Sequence, residues 1–178
     1  MTDAQTHSSI PDDDLSRALT VASPDTDQRL KHLAVVGDTY TILVDGTQTR
    51  GRYTLIDMLI PPGGGPPPHR HDFEEMFSIL EGEITLTFRG ETSVAGPGTT
   101  VNIPANAPHQ FQNKGGGAVR LLCLCSPAGQ EDFFREVGVP VATRTTPAPK
   151  LSDAEQQAFR EKSMALAEKY HTELLQHA

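Results

Sequence analysis

The chain is poor in cysteine, in basic residues and in long apolar runs, and each scarcity removes a class of protein. Only two of its 178 residues are cysteine, Cys123 and Cys125, so neither a disulfide scaffold nor a thiolate metal cage is expected. Spaced two apart in RLLCLCS they share one face, where a mutual disulfide would be geometrically poor and burial as small hydrophobes is the expectation. Lys and Arg number 15 against 23 Asp and Glu, and the net charge of -8 argues against nucleic acid or an anionic membrane as partner. There is no basic recognition segment and no helix-turn-helix pattern. No apolar run reaches the ~20 residues of a membrane span. The opening MTDAQTHSSIPDDD has neither the basic nor the apolar part of a signal peptide, so the expected address is the cytoplasm.

What the chain does have is punctuation: 15 glycines and 14 prolines, set among 37% hydrophobic and 21% charged residues, an ordinary composition for one soluble domain. Alternating segments Thr39 to Val44 and Arg52 to Ile60 flank an Asp45-Gly46 turn signal and read as a hairpin. From Glu75 short strands follow quickly: Glu75 to Leu80, Glu83 to Phe88, Glu91 to Val94, Thr100 to Ile103, His109 to Gln112, and Ala118 to Cys125. Many short strands separated by Gly or Pro predict an all-β sandwich or barrel. Around it we expect a polar tail over residues 1–14, a short helix from Leu15 to Ala22, the barrel with its extension over 15–138, and a second short helix in EDFFREVG. A Pro-rich linker over 139–150 should then lead to a C-terminal helix within 151–178, opened by the capping-box pattern Ser152-x-x-Glu155.

The chemistry concentrates in two stretches. In the first, His69 and His71 lie two apart, so in an extended strand both imidazoles project to one face. Glu75 continues the same odd series while Glu74 points away. His109 lies 38 residues beyond His71, and only closure of a sheet could bring it to the same ion. Three imidazoles and one carboxylate suit one divalent transition metal, Fe, Mn, Ni, Co, Cu or Zn, rather than Ca or Mg. Four protein ligands on a six-coordinate ion leave positions open, as at a catalytic metal. Phe73, Phe77 and Ile79 share the parity of the histidines, and Phe111 that of His109. They are the candidate lining of an apolar substrate pocket, with ordinary core packing the alternative for each. No cluster of Arg or Lys accompanies them, which disfavours a phosphorylated substrate.

Written out, GGGPPPHRHDFEEMFSILEG (Gly63 to Gly82) and GTTVNIPANAPHQFQN (Gly98 to Asn113) resemble the two signature motifs of the cupin superfamily. The second departs at Asn106, where Gly is usual; Asn is the residue that best replaces Gly in a left-handed turn. The resemblance implies a jelly-roll-like β-barrel with short flanking helices and a C-terminal α-helix, often as a homodimer. Residues 33–175 further resemble the single-domain quercetin 2,3-dioxygenase branch. That implies His69, His71, Glu75 and His109 as metal ligands, Glu75 as acceptor of the proton of an enolic hydroxyl, and a small-molecule substrate with dioxygen. The chain has three residues between His71 and Glu75 where many relatives of this kind have four. A non-redox lyase or isomerase, and a binding module without turnover, are the competing readings.

Overall fold

The computed structural model describes residues 10–177. Among the described residues, twelve short strands form two antiparallel sheets. The chain runs through β1 (His32–Val35), β2 (Asp38–Val44), the single turn of helix α1 (Gly46–Thr49), β3 (Thr54–Ile60), β4 (His69–His71), β5 (Glu74–Glu81), β6 (Ile84–Phe88), β7 (Glu91–Ala95), β8 (Thr100–Ile103), β9 (His109–Gln112) and β10 (Val119–Ser126). It ends with α2 (Gln130–Val137), β11 (Val139–Val141), α3 (Asp153–Ala167) and β12 (Thr172–Leu174). One sheet has the order β11-β1-β2-β3-β10-β5-β8, the other β12-β4-β9-β6-β7. Their inner faces enclose one core, with Phe77, Ile56, Ile60, Ile84, Ile103 and Leu121 fully buried. The architecture is the cupin barrel or sandwich that the motifs imply.

Period-two patterning explains the strands. In β10 every other residue is buried, Val119, Leu121, Cys123 and Cys125, while Arg120, Leu122 and Leu124 are half-buried. Both faces of such a central strand are covered to some degree, and β5 on one side and β3 on the other saturate its backbone. In β5 the odd residues Glu75, Phe77 and Ile79 face inward, and Leu80 is 40% exposed.

Several expectations are corrected. The Asp45-Gly46 pair starts no tight turn: the Asp45 side chain accepts from the N–H groups of Thr47 and Gln48, a cap that nucleates α1. No helix forms over Leu15 to Ala22, because Leu15 and Leu19 are 89% and 90% exposed and no apolar surface offsets the cost of nucleating so short a helix. Of the expected N-terminal tail, residues 1–9 lie outside the described residues, and 10–14 are irregular. The expected linker over 139–150 contains β11, which pairs with β1; Pro140 fits there because β11 is an edge strand, where a missing N–H is tolerated.

The C-terminal helix is also shorter than expected. Ser152 and Glu155 form the capping box, yet the helix ends at Ala167, followed by a 3-10 turn at Glu168–Tyr170. His171 adopts a left-handed conformation (φ 53°), and the chain reverses into β12. Strand pairing with β4 replaces further helix: Thr172, Glu173 and Leu174 lie opposite His71, Arg70 and His69. An Arg70–Glu173 hydrogen bond of 2.6 Å fixes the register.

Candidate metal centre

The loop before β4 is locked by the end of the second motif. The Gly63 N–H donates to the Asn113 carbonyl (2.8 Å), and the Asn113 N–H to the Gly64 carbonyl (3.0 Å). Buried Asn113 also donates its amide to the carbonyls of Ile60 and Gly117. Gly65 has φ +120°, and a methyl there would stand 2.2 Å from the Phe111 carbonyl oxygen, so no other residue fits. At the next turn Asn106 is left-handed (φ 67°), as expected of glycine's best substitute, and its N–H donates to the His71 carbonyl at 2.6 Å. The two motifs are thus stitched together by backbone bonds on both sides of the histidines.

Parity then aims the side chains. Glu74 points outward and accepts from the Asn102 amide and the Ala105 N–H, each at 3.2 Å. Glu75 points inward with His71 and His109, all three buried. One donor atom from each of His69, His71, Glu75 and His109 lies within 4.8 Å of the others, a group that could hold a metal ion. The structure therefore brings together all four residues singled out in the sequence. His69 and His109, opposite each other in β4 and β9, have ring centroids 4.2 Å apart.

Each imidazole has a fixed tautomer. His69 Nδ1 lies 2.9 Å from the Pro67 carbonyl, His71 Nδ1 2.9 Å from that of Phe73, and His109 Nδ1 2.9 Å from that of Ala107. A carbonyl can only accept, so each Nδ1 carries the proton and, in the neutral ring, Nε2 presents a lone pair. Yet Glu75 Oε2 stands 3.2 Å from His71 Nε2 and 3.1 Å from His109 Nε2. Acceptors facing acceptors at that distance repel, and a cation relieves this. Burial pushes the Glu75 carboxyl up, but where a proton rather than a metal ion sits on Nε2, hydrogen bonds from His109 and His71 hold it well below the usual carboxylate range. Burial, assisted by the charge of His109, pulls His69 down to about 4, which favours a neutral ring able to ligate.

The candidate pocket residues are all buried. Phe73 lies flat on His71, ring centroids 3.8 Å apart at 2°. Phe77 and Phe111 meet edge to face at 5.0 Å, and Ile79 continues the same face of β5 within the core. One contact was not foreseen: the Cys123 thiol donates to Glu75 Oε1 at 3.3 Å, and Cys125 lies 3.6 Å from Cys123. The shared face of the two cysteines was legible, but the register placing Cys125 opposite Glu75 was not.

Residues 56–125 match the cupin-domain family model, in line with the resemblance of the two motifs. Among curated proteins it is similar to an uncharacterized protein of Methanocaldococcus jannaschii (33% identical over 77 residues, 43% of this chain and 62% of that one). It is also similar to quercetin 2,3-dioxygenase of Bacillus subtilis (26% over 102 residues, 57% of this chain and 30% of that one). With auxin-binding protein 1 of Arabidopsis thaliana it shares 36% identity over 85 residues, 42% of either chain. The chain thus spans less than two thirds of the length of these relatives. The solved structure of KdgF from Halomonas sp. superposes with a TM-score of 0.53 at 16% identity, covering 63% of this chain and 99% of that one, a likeness of fold.

Proposed function

We propose that the protein is a mononuclear metal-dependent enzyme, a quercetinase-like dioxygenase acting on a flavonol-like or other enolisable aromatic substrate. The observation that carries the metal part is the convergence of one donor atom from each of His69, His71, Glu75 and His109 to within 4.8 Å of one another, with Nδ1 of every ring bonded to a carbonyl. Such borderline donors fit a divalent transition ion, whose identity affinity alone does not decide. His69, His71, His109 and Glu75 hold it. The ion supplies Lewis acidity, lowering the pKa of a bound enolic hydroxyl, and redox chemistry where its identity permits. Glu75 takes up the released proton, and Phe73 on His71 gives a flat apolar surface for an aromatic ring. Phe77, Ile79 and Phe111 extend the apolar interior beside it.

The dioxygenase reading is supported by the likeness to quercetin 2,3-dioxygenase, and a ligand-binding module without turnover by the higher identity to auxin-binding protein 1 over a shorter stretch. Elemental analysis of the purified protein followed by assays with flavonols under air and under nitrogen separates them. The dioxygenase consumes oxygen and substrate only under air. Turnover under nitrogen, retained with Zn, makes it a lyase or isomerase; binding without turnover makes it a receptor-like module. A cytoplasmic address and a homodimer complete the proposal; no helix among the described residues is long and apolar enough to cross a membrane.

A further inference from the structure

Beneath the candidate metal centre lies a second buried layer, the two thiols of β10, which the proposed chemistry does not use. Both are fully buried and lie on the barrel's inner face beside Glu75. Cys123 Sγ is 3.3 Å from Glu75 Oε1, Cys125 Sγ is 4.0 Å from the same oxygen, and the two sulfurs are 3.6 Å apart. The carboxylate is therefore divided: Oε2 faces His71 and His109, and Oε1 faces sulfur. We infer that Cys123 is a positioning residue for Glu75: its S–H occupies Oε1 and so commits the carboxylate to the metal centre through Oε2 alone.

The inference rests on the metal reading above. A buried anionic oxygen left without a donor costs the full desolvation of that atom, and among the described residues only the two thiols make hydrogen-bonding contact with Glu75 Oε1. A thiol is a weak donor, so it satisfies Oε1 while drawing little electron density away from Oε2, which keeps Glu75 a basic ligand. It also blocks the rotation that would present both oxygens to one ion. Cys125 backs the arrangement by filling the space behind Cys123 and accepting or donating a sulfur contact.

The test uses the full chain with Cys123→Ala and Cys123→Ser. In metal-free protein the infrared S–H stretch should show one hydrogen-bonded thiol, whose band is lost in Cys123→Ala and returns to the free-thiol position in Glu75→Ala. In cobalt-loaded protein Cys123→Ala should shift the d–d absorption bands and bind Co(II) about 10-fold more weakly, with Cys123→Ser largely restoring both. A Cys123→Ala protein with the wild-type cobalt spectrum and affinity overturns the positioning role. A sulfur-to-cobalt charge-transfer band in the wild type, absent from Cys123→Ala, overturns it differently, by making the thiolate a ligand. Failure of the wild type to take up cobalt, with the shifted S–H band present, overturns the metal reading and leaves the hydrogen bond standing.

Discussion

Asp38 at the start of β2 should make the protein less stable as pH rises, and removing its charge should abolish that loss. The carboxyl is buried under the glycine loop that leads to β4: a methyl on Gly64 would come within 2.3 Å of Oδ1. Among the described residues Oδ1 has no well-formed hydrogen bond, Oδ2 accepts from the Tyr40 hydroxyl at 3.0 Å, and the Gly65 N–H lies close to the carboxyl. Burial pushes the group from 3.8 to about 7, against the pull of Tyr40 and the Gly65 N–H. An acid whose folded pKa is raised costs nothing below its unfolded value. As pH climbs from about 4 to about 7 the unfolded chain ionises and the folded chain does not, so stability falls, levelling off above. A gap of about 3 units corresponds to roughly 4 kcal/mol. Asp38→Asn keeps the shape and an acceptor for Tyr40 but cannot ionise. Its amide lacks an acceptor, so its absolute stability is less informative than its slope with pH. Urea denaturation of metal-free protein at steps from about pH 4 to about pH 8 should show the variant gaining roughly 4 kcal/mol on the wild type across the range. Parallel stability–pH curves would refute the reasoning.

Substituting His69→Ala or His109→Ala should abolish stoichiometric metal while leaving soluble protein; full metal content in both, by elemental analysis, would disprove ligation. Glu75→Gln should reduce turnover more than metal content if the carboxylate takes a proton, and equal losses would leave it a ligand only. Deleting residues 168–178 should weaken cobalt binding about 10-fold with the circular dichroism of the barrel retained, since β4 has one paired position with β9 and three with β12. Unchanged affinity would show that β4 holds its shape without that strand.

The strands and the shared face of His69, His71 and Glu75 were legible because both depend on short-range rules, and His109 joined them through the resemblance of the second motif. Thr100 to Ile103 and His109 to Gln112 emerged as strands at their observed bounds, and the parity of His69, His71, Phe73 and Glu75 put them all on the inner side. What escaped depends on pairing between distant segments. Nothing local says that residues after Tyr170 leave the helix to join the strand of His69 and His71, because the gain lies in backbone bonds to β4. The layer of sulfur beneath Glu75 escaped for the same reason: alternation reveals which residues share a face, but not which neighbour that face meets. The Leu15 to Ala22 segment misled in the other direction, having helical spacing but no surface to pack on.

The carbonyls that fix the three imidazoles belong to Pro67, Phe73 and Ala107, each two positions from the ring it serves. Tautomer choice is therefore carried inside a pair of short peptides and owes nothing to the remainder of the architecture. Lengthening the hairpin between Phe88 and Glu91, or grafting both peptides onto another scaffold of matching strand register, should leave every ring protonated on the same nitrogen.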